Sequence, residues 1–254
     1  MKRLQPFRLS VLGLFAVLAA PSLHGAAVVL PNAADGTEGG SGLNTVLQNG
    51  PRTVQLQFAA SLLAGVPVGS QFEGISFRLD GSQSTAQPSA TYSYEEYKIV
   101  LAQAANSIAD MSATFADNMV SPVAVFDGPL TITAASYPGG STPNDWGATI
   151  AFDVPYAYQG GDLVVWITHP AASGGSGMFL DAMVGTADYR GLRNASTFNA
   201  TTANIVSDGV TVMRLEFTPI PEPTTVATLA GLGLLGLTGW RRLRRAAATP
   251  IAGY

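Results

Sequence analysis

Outside the first 26 residues the chain has a single histidine, His169, so Ser-His-Asp chemistry would have to be built on that imidazole, with Ser173 or Ser176 in the following loop as the nearby hydroxyls. Neither serine sits in a Gly-x-Ser-x-Gly elbow, and His169-Pro170 reads as the surface end of a strand covering Leu163 to Thr168. With one imidazole and no cysteine, the usual nitrogen and sulfur ligands of zinc are missing too.

Oxygen ligands are better represented. Asp35-Gly36-Thr37-Glu38, Asp80-Gly81-Ser82 and Asp127-Gly128 could offer carboxylates and carbonyls to calcium, but none has EF-hand spacing and Asp-Gly is first of all a turn signal. No metal or cofactor is assigned. Glu95-Glu96 and Asp181 could be imagined as the paired carboxylates of a glycosidase, but the preferred reading of them is solvated surface carboxylates. No catalytic residue is assigned, and the chain is read as a non-enzyme.

Tyr92, Tyr94, Trp146, Tyr156, Tyr158 and Trp166 are the aromatics that could stack on a sugar ring. Trp166 falls inside a strand and is assigned to packing there. The loop aromatics Trp146, Tyr156 and Tyr158 are the sugar-stacking candidates, with core or hairpin packing as the competing role. Asn194-Ala195-Ser196 and Asn199-Ala200-Thr201 match the glycosylation sequon, a short pattern that arises often by chance.

The elements that must position these residues are strands. Apolar and polar residues alternate over short runs, the period of a half-buried strand. Such runs cover Thr53 to Phe58, Gly74 to Leu79, Tyr97 to Leu101, Val123 to Phe126, Leu130 to Ala134, Ala148 to Val154, Leu163 to Thr168 and Val210 to Phe217. Asp80-Gly81, Asp127-Gly128-Pro129, Pro138-Gly139-Gly140, Gln159-Gly160-Gly161-Asp162, Gly174-Gly175 and Asp208-Gly209 separate them with turn chemistry. Residues 102–111 read as a short helix or a loop. Eight or more strands predict an all-β fold, a two-layer β-sandwich of jelly-roll-like form, with a closed barrel as the alternative.

Only 12% of the residues are charged, and 28 glycines and 16 prolines fit many turns without a collagen period. Between residues 27 and 220 there are six basic and sixteen acidic side chains, a formal charge of about −10 that disfavours nucleic acid as a partner.

The basic residues missing from the middle are at the ends. Lys2, Arg3 and Arg8 precede an apolar run over residues 9–20, then Pro21 and small residues, which is the layout of a secretory signal over 1–26. At the other end Pro221-Glu222-Pro223 is followed by residues 224–240 without a charge and then by Arg241, Arg242, Arg244 and Arg245. Seventeen helical residues span about 25 Å, the lower limit for a bilayer, and the arginines would stop transfer on the cytoplasmic side, leaving 246–254 as a cytoplasmic tail.

The Pro-Glu-Pro triplet, the Gly/Leu/Ala run and the arginine cluster, in that order, resemble the PEP-CTERM sorting signal of Gram-negative bacteria, here over 218–245. The resemblance implies a membrane-embedded exosortase as partner, delivery to the cell surface or extracellular matrix, and possible contact with exopolysaccharide. Residues 27–217 would then be a structural or adhesive ectodomain, or else a carbohydrate-binding or carbohydrate-cleaving one.

Overall fold

Period-two alternation places Ile99 and Leu101, Leu163, Val165 and Ile167, and Met213, Leu215 and Phe217 on single faces of their strands, and all of these are buried in one core. The computed structural model describes residues 25–175, 177–207 and 209–220. Residues 1–24, Ser176, Asp208 and 221–254 lie outside it. The signal-peptide residues before 25, the sorting motif, the 224–240 run, the arginine cluster and the 246–254 tail therefore fall outside the described residues.

The described residues are all-β, with three short 3-10 turns and thirteen strands. These are β1 (Ala26–Leu30), β2 (Ser41–Leu43), β3 (Arg52–Phe58), β4 (Gln71–Phe77), β5 (Tyr92–Ala104), β6 (Met119–Ile132), β7 (Ile150–Ala157), β8 (Leu163–His169), β9 (Leu180–Val184), β10 (Tyr189–Asn194), β11 (Ile205–Ser207), β12 (Gly209–Thr211) and β13 (Met213–Thr218).

One sheet has the order β1-β13-β4-β7 and the other β11-β10-β3-β8-β5-β6, while β12-β9-β2 form a small third sheet. Every pairing between strands is antiparallel. Phe72, Ile75, Phe77, Leu215 and Phe217 of the first sheet and Leu56, Phe58, Ile99, Leu101 and Val165 of the second share one core, so the two large sheets pack as a sandwich-like pair. The body runs one residue past the expected 27–217 at each end, because Ala26 pairs with Phe217 and β13 continues to Thr218.

Several boundaries differ from the expected ones. The two runs around Asp127-Gly128-Pro129 are one strand, β6, and the expected turn is part of its pairing with β5 through Asp127 and Lys98. Because β6 is the outer strand of its sheet, Pro129 can sit there without costing an inner ladder a donor. The run Val210 to Phe217 breaks at Val212 into β12 and β13, which belong to different sheets. Val154, expected on the inner face with Ile150 and Phe152, is exposed, and Tyr156 is buried further along β7. Residues 105–111 form a loop rather than a helix.

The largest departure is at β3, where all seven residues are buried instead of alternate ones. Val54, Leu56 and Phe58 point into the core, while the alternating Thr53, Gln55 and Gln57 lie beneath two loops on the outer face. Gln55 Nε2 donates to Phe115 O at 2.9 Å and Gln55 Oε1 accepts from Asn118 Nδ2 at 2.7 Å. Gln57 Nε2 donates to Asn106 O at 2.7 Å, and Thr53 Oγ1 to Thr197 O at 2.8 Å. A polar stripe on one strand thus ties down the loops 105–118 and 195–204, replacing the water it would otherwise have met.

Candidate functional site

The outer face of the six-stranded sheet carries the register Gln55, Trp166, Val100 across β3, β8 and β5. The two tied loops cover Gln55 and meet each other through Phe115 N donating to Thr201 O at 3.0 Å and Ala203 N donating to Ala113 O at 2.8 Å. Beside them is a groove of about 450 Å³ lined by Trp166, Val100, Met119 and Pro122 on the sheet side.

The loop side contributes Thr114, Asn199 and Thr201. Asn199 has φ 52°, the left-handed region that asparagine tolerates better than most residues. Its N–H donates to Thr168 Oγ1 at 2.8 Å and the next N–H, of Ala200, donates to Thr53 Oγ1 at 3.1 Å, so the sheet itself holds the rim in place. Trp166 Nε1 is buried without a hydrogen-bond partner among the described residues. Trp166, expected from the sequence to pack within its strand, is half-buried and lines this groove.

The three expected sugar-stacking residues are engaged elsewhere. Tyr156 and Tyr158 are 4% exposed and pack on Phe72 with ring centroids 6.5 and 5.9 Å away, so both are corrected from stacking platform to core. Trp146 lies between two guanidinium groups, those of Arg78 at 5.1 Å and Arg214 at 5.2 Å, which occupy it by cation–π contact. Tyr92 and Tyr94 are buried as well.

His169 does end β8, but inside the protein, fully buried, and the surface position expected for it is corrected accordingly. Its ring stacks on Tyr97 at 5.4 Å and tilts against Tyr94 at 4.6 Å. With Nδ1 protonated, the ring donates to Pro170 O at 2.9 Å. Burial, aided by the charge of Arg52, lowers its pKa to about 4 against the backbone hydrogen bonds at Pro170 and Thr45, so it is neutral at pH 7. Ser173 is exposed and bridges to Ser93 on β5, and Ser176 lies outside the described residues.

The tyrosines beside His169 form a clamp. Tyr97, Tyr92 and Tyr94 donate to the carbonyls of Val46, Leu47 and Gln48 at 2.7, 3.0 and 2.8 Å. Three hydroxyls from one strand thereby satisfy three successive carbonyls of the segment between β2 and β3. Burial raises the pKa of Tyr92 to about 12 and that of Tyr97 well above the ordinary phenol, so both remain protonated donors.

Two of the three loops weighed as oxygen donors do converge. Ligand oxygens of Glu38, Asp80 and Asp181 lie within 4.8 Å of one another. Asp181 is already committed: Arg78 Nε and Nη2 donate to its Oδ2 at 2.8 and 2.6 Å, and Gly39 N donates to its Oδ1 at 2.9 Å. Glu38 accepts from Gly81 N at 2.5 Å. Burial first, then the charges of Asp181 and Asp80, hold its carboxyl above the usual range, against the Gly81 hydrogen bond and Arg78. Asp127 is apart, paired with Lys98 at 2.5 Å. Glu95 and Glu96 are on β5, and Asp181, on β9, has Arg78, Glu38 and Asp80 as its charged neighbours.

Among the described residues, no helix is long and apolar enough to cross a membrane. Comparison with known families matches residues 219–245 to the PEP-CTERM protein-sorting motif, beginning one residue after β13. No curated protein and no solved structure matches the chain. The motif indicates an exported, membrane-associated protein processed by exosortase.

Proposed function

We propose that this chain is a non-enzymatic surface or matrix protein, a jelly-roll-like sandwich displayed as a structural or adhesive module. In this reading residues 1–26 are the export signal and 224–240 the membrane helix, with Pro221, Glu222 and Pro223 as the motif that exosortase reads and Arg241, Arg242, Arg244 and Arg245 as the stop-transfer cluster. The jelly-roll reading is supported by the strand order: setting aside β2 and β9 to β12, the remaining eight strands, counted in chain order, fall as 1-8-3-6 in one sheet and 2-7-4-5 in the other.

The observation that carries the display reading is the pairing of Ala26 with Phe217. The chain enters and leaves the sandwich on neighbouring strands at one end, and the sorting motif starts at Pro219, so the body stands on that end and presents the remainder outward. The non-enzymatic reading is supported by where the chemically capable residues are spent: His169 is stacked, buried and neutral, and Asp181 is bound to Arg78.

The test is cell fractionation with surface proteolysis of the full chain and of a chain ending at Thr218. The full chain is expected at the membrane and then the surface, cut after the signal, with the truncated one released from the membrane. Full-length, uncut protein in the cytosol would overturn the reading. The carbohydrate-binding alternative is favoured by one observation, the groove at Trp166.

A further inference from the structure

We propose that Arg52 and Arg193 form a binding site for a single oxyanion group, a carboxylate or a sulfate ester, at the end of the body away from the sorting motif. Residues 27–220 hold six basic and sixteen acidic side chains, and Arg78, Lys98 and Arg214 pair with Asp181, Asp127 and Glu216. Arg52 and Arg193 pair with no carboxylate among the described residues. In so acidic a body, two adjacent guanidiniums without a counter-charge are the exception.

The sheet register makes them neighbours. Arg193 on β10 pairs with Val54 of β3, two residues from Arg52 on the same face, and such diagonal positions, about 7–8 Å apart, are within reach of long side chains. Arg52 is 7% exposed and spends Nη1 on Ala195 O. Arg193 is half-buried and makes no side-chain hydrogen bond or ion pair among the described residues. Nε of each is sealed without a partner, but Nη2 of Arg52 and both Nη groups of Arg193 are unpartnered without being sealed, so a ligand can reach them. Burial, then the charge of Arg193, lowers the pKa of Arg52, and both guanidiniums stay charged at neutral pH.

Burying a guanidinium without a counter-ion is unfavourable, and a second one beside it adds repulsion. An oxyanion offsets both, and its row of oxygens matches the parallel N–H bonds of the guanidinium fork. The rest of the body limits the ligand to one such group. At a formal charge of about −10 it repels a chain with an anion on every unit, whereas a lone anion within the screening length of about 10 Å is governed by the two arginines.

The position of the site follows from the strand pairings. Gln71 pairs with both Thr218 and Ala157, and residues 158–162 lead from Ala157 to Leu163, which pairs with Phe58. Phe58 is therefore at the tail end of the body, and Arg52 is at the other end of β3, about 20 Å away. That end faces outward in the display reading above, on which the outward placement rests and the binding does not.

The test uses the full chain in lipid nanodiscs with isotope-labelled arginine, titrated with sodium acetate, sodium methyl sulfate and uncharged acetamide in about 0.1 M sodium chloride, with the guanidinium Nε–H signals followed by NMR. Acetate or methyl sulfate is expected to shift the Arg52 and Arg193 signals saturably, and the tighter of the two identifies the group that the ligand carries. Acetamide should bind at least about tenfold more weakly, and an oligogalacturonate no more tightly than the better of the two single anions. Arg193→Gln should weaken anion binding at the Arg52 signal at least about tenfold without lowering the melting temperature, because it removes a repulsion. Arg52→Gln should abolish the shift at Arg193.

No saturable shift with either anion, equal binding of acetamide, tighter binding of the oligomer, or unchanged binding in Arg193→Gln would overturn the proposal. Should Arg52→Gln fail to fold, Arg193→Gln decides alone. Binding is read on the purified chain and display on cells, so either can fail while the other stands.

Discussion

The imidazole of His169 lies parallel to the phenol ring of Tyr97, with 5.4 Å between centroids and 4° between planes. The contact keeps the last residue of β8 in the layer of tyrosines that clamps residues 46–48, and it has a consequence for acid stability.

His169 titrates near pH 4 in the folded chain and near 6.5 when unfolded, so the unfolded state binds the extra proton first. Its contribution is fully present above about pH 6.5 and is lost as pH falls toward and through about 4. A shift of this size corresponds to roughly 3 kcal/mol. Urea unfolding from pH 7 to pH 4 should show that loss in wild type and a flatter profile in His169→Phe. Identical profiles would remove His169 as the cause.

Removing the Tyr97 hydroxyl leaves the Val46 carbonyl without its buried donor. Tyr97→Phe should destabilise by about 1–2 kcal/mol in urea unfolding at pH 7, and Tyr94→Phe by less because its bond to Gln48 is only part-buried. A neutral Tyr97→Phe would mean that the clamp contributes nothing.

Asp181 and Arg78 are both essentially without solvent contact, at 0% and 2% exposure. Asp181→Ala strands a buried guanidinium and should cost about 3–5 kcal/mol, read as a fall in melting temperature. Asp181→Asn, which keeps one acceptor oxygen for either Arg78 or Gly39 N but not for both, should cost less. Equal losses would show that charge alone matters.

Glu38 behaves with the opposite sign to His169. Its raised pKa means that the folded state holds the proton more tightly, so its contribution is fully present below the ordinary carboxylate value near 4.5 and is lost as pH rises through the higher folded value. Glu38→Gln keeps an acceptor for Gly81 N and should raise the melting temperature at pH 7, with the gain vanishing at pH 4 and below. A lowered melting temperature at pH 7 would show that Glu38 is stabilising when ionised.

Sequence periodicity located the strands whose two faces differ, as at Ile99 and Leu101 or Leu163, Val165 and Ile167. It failed where tertiary covering erases the difference. Thr53, Gln55 and Gln57 are polar as if for water, yet loops distant in sequence bury them. Asp127-Gly128-Pro129 has turn chemistry, and only its place on an outer strand makes it compatible with β6. β1 escapes periodicity because Ala26-Ala27-Val28-Val29-Leu30 continues the small and apolar character of the residues before it, which read as an export signal.

The candidate site was less legible for a related reason. Trp166 sits at an ordinary strand position, and its groove exists because the loops around Phe115 and Asn199 stop where they do. What marks the place in the fold is an asparagine and two threonines whose side chains make no hydrogen bond among the described residues, beside a tryptophan. It needed the register between β8 and β5 to be seen.

The placement of β13 sets the order in which the body can assemble. Its six residues sit between β1 and β4, and among the described residues β1 pairs with no other strand. The sheet that β1 opens is therefore complete only once the chain is present as far as residue 218, and the matched sorting motif begins at the very next residue.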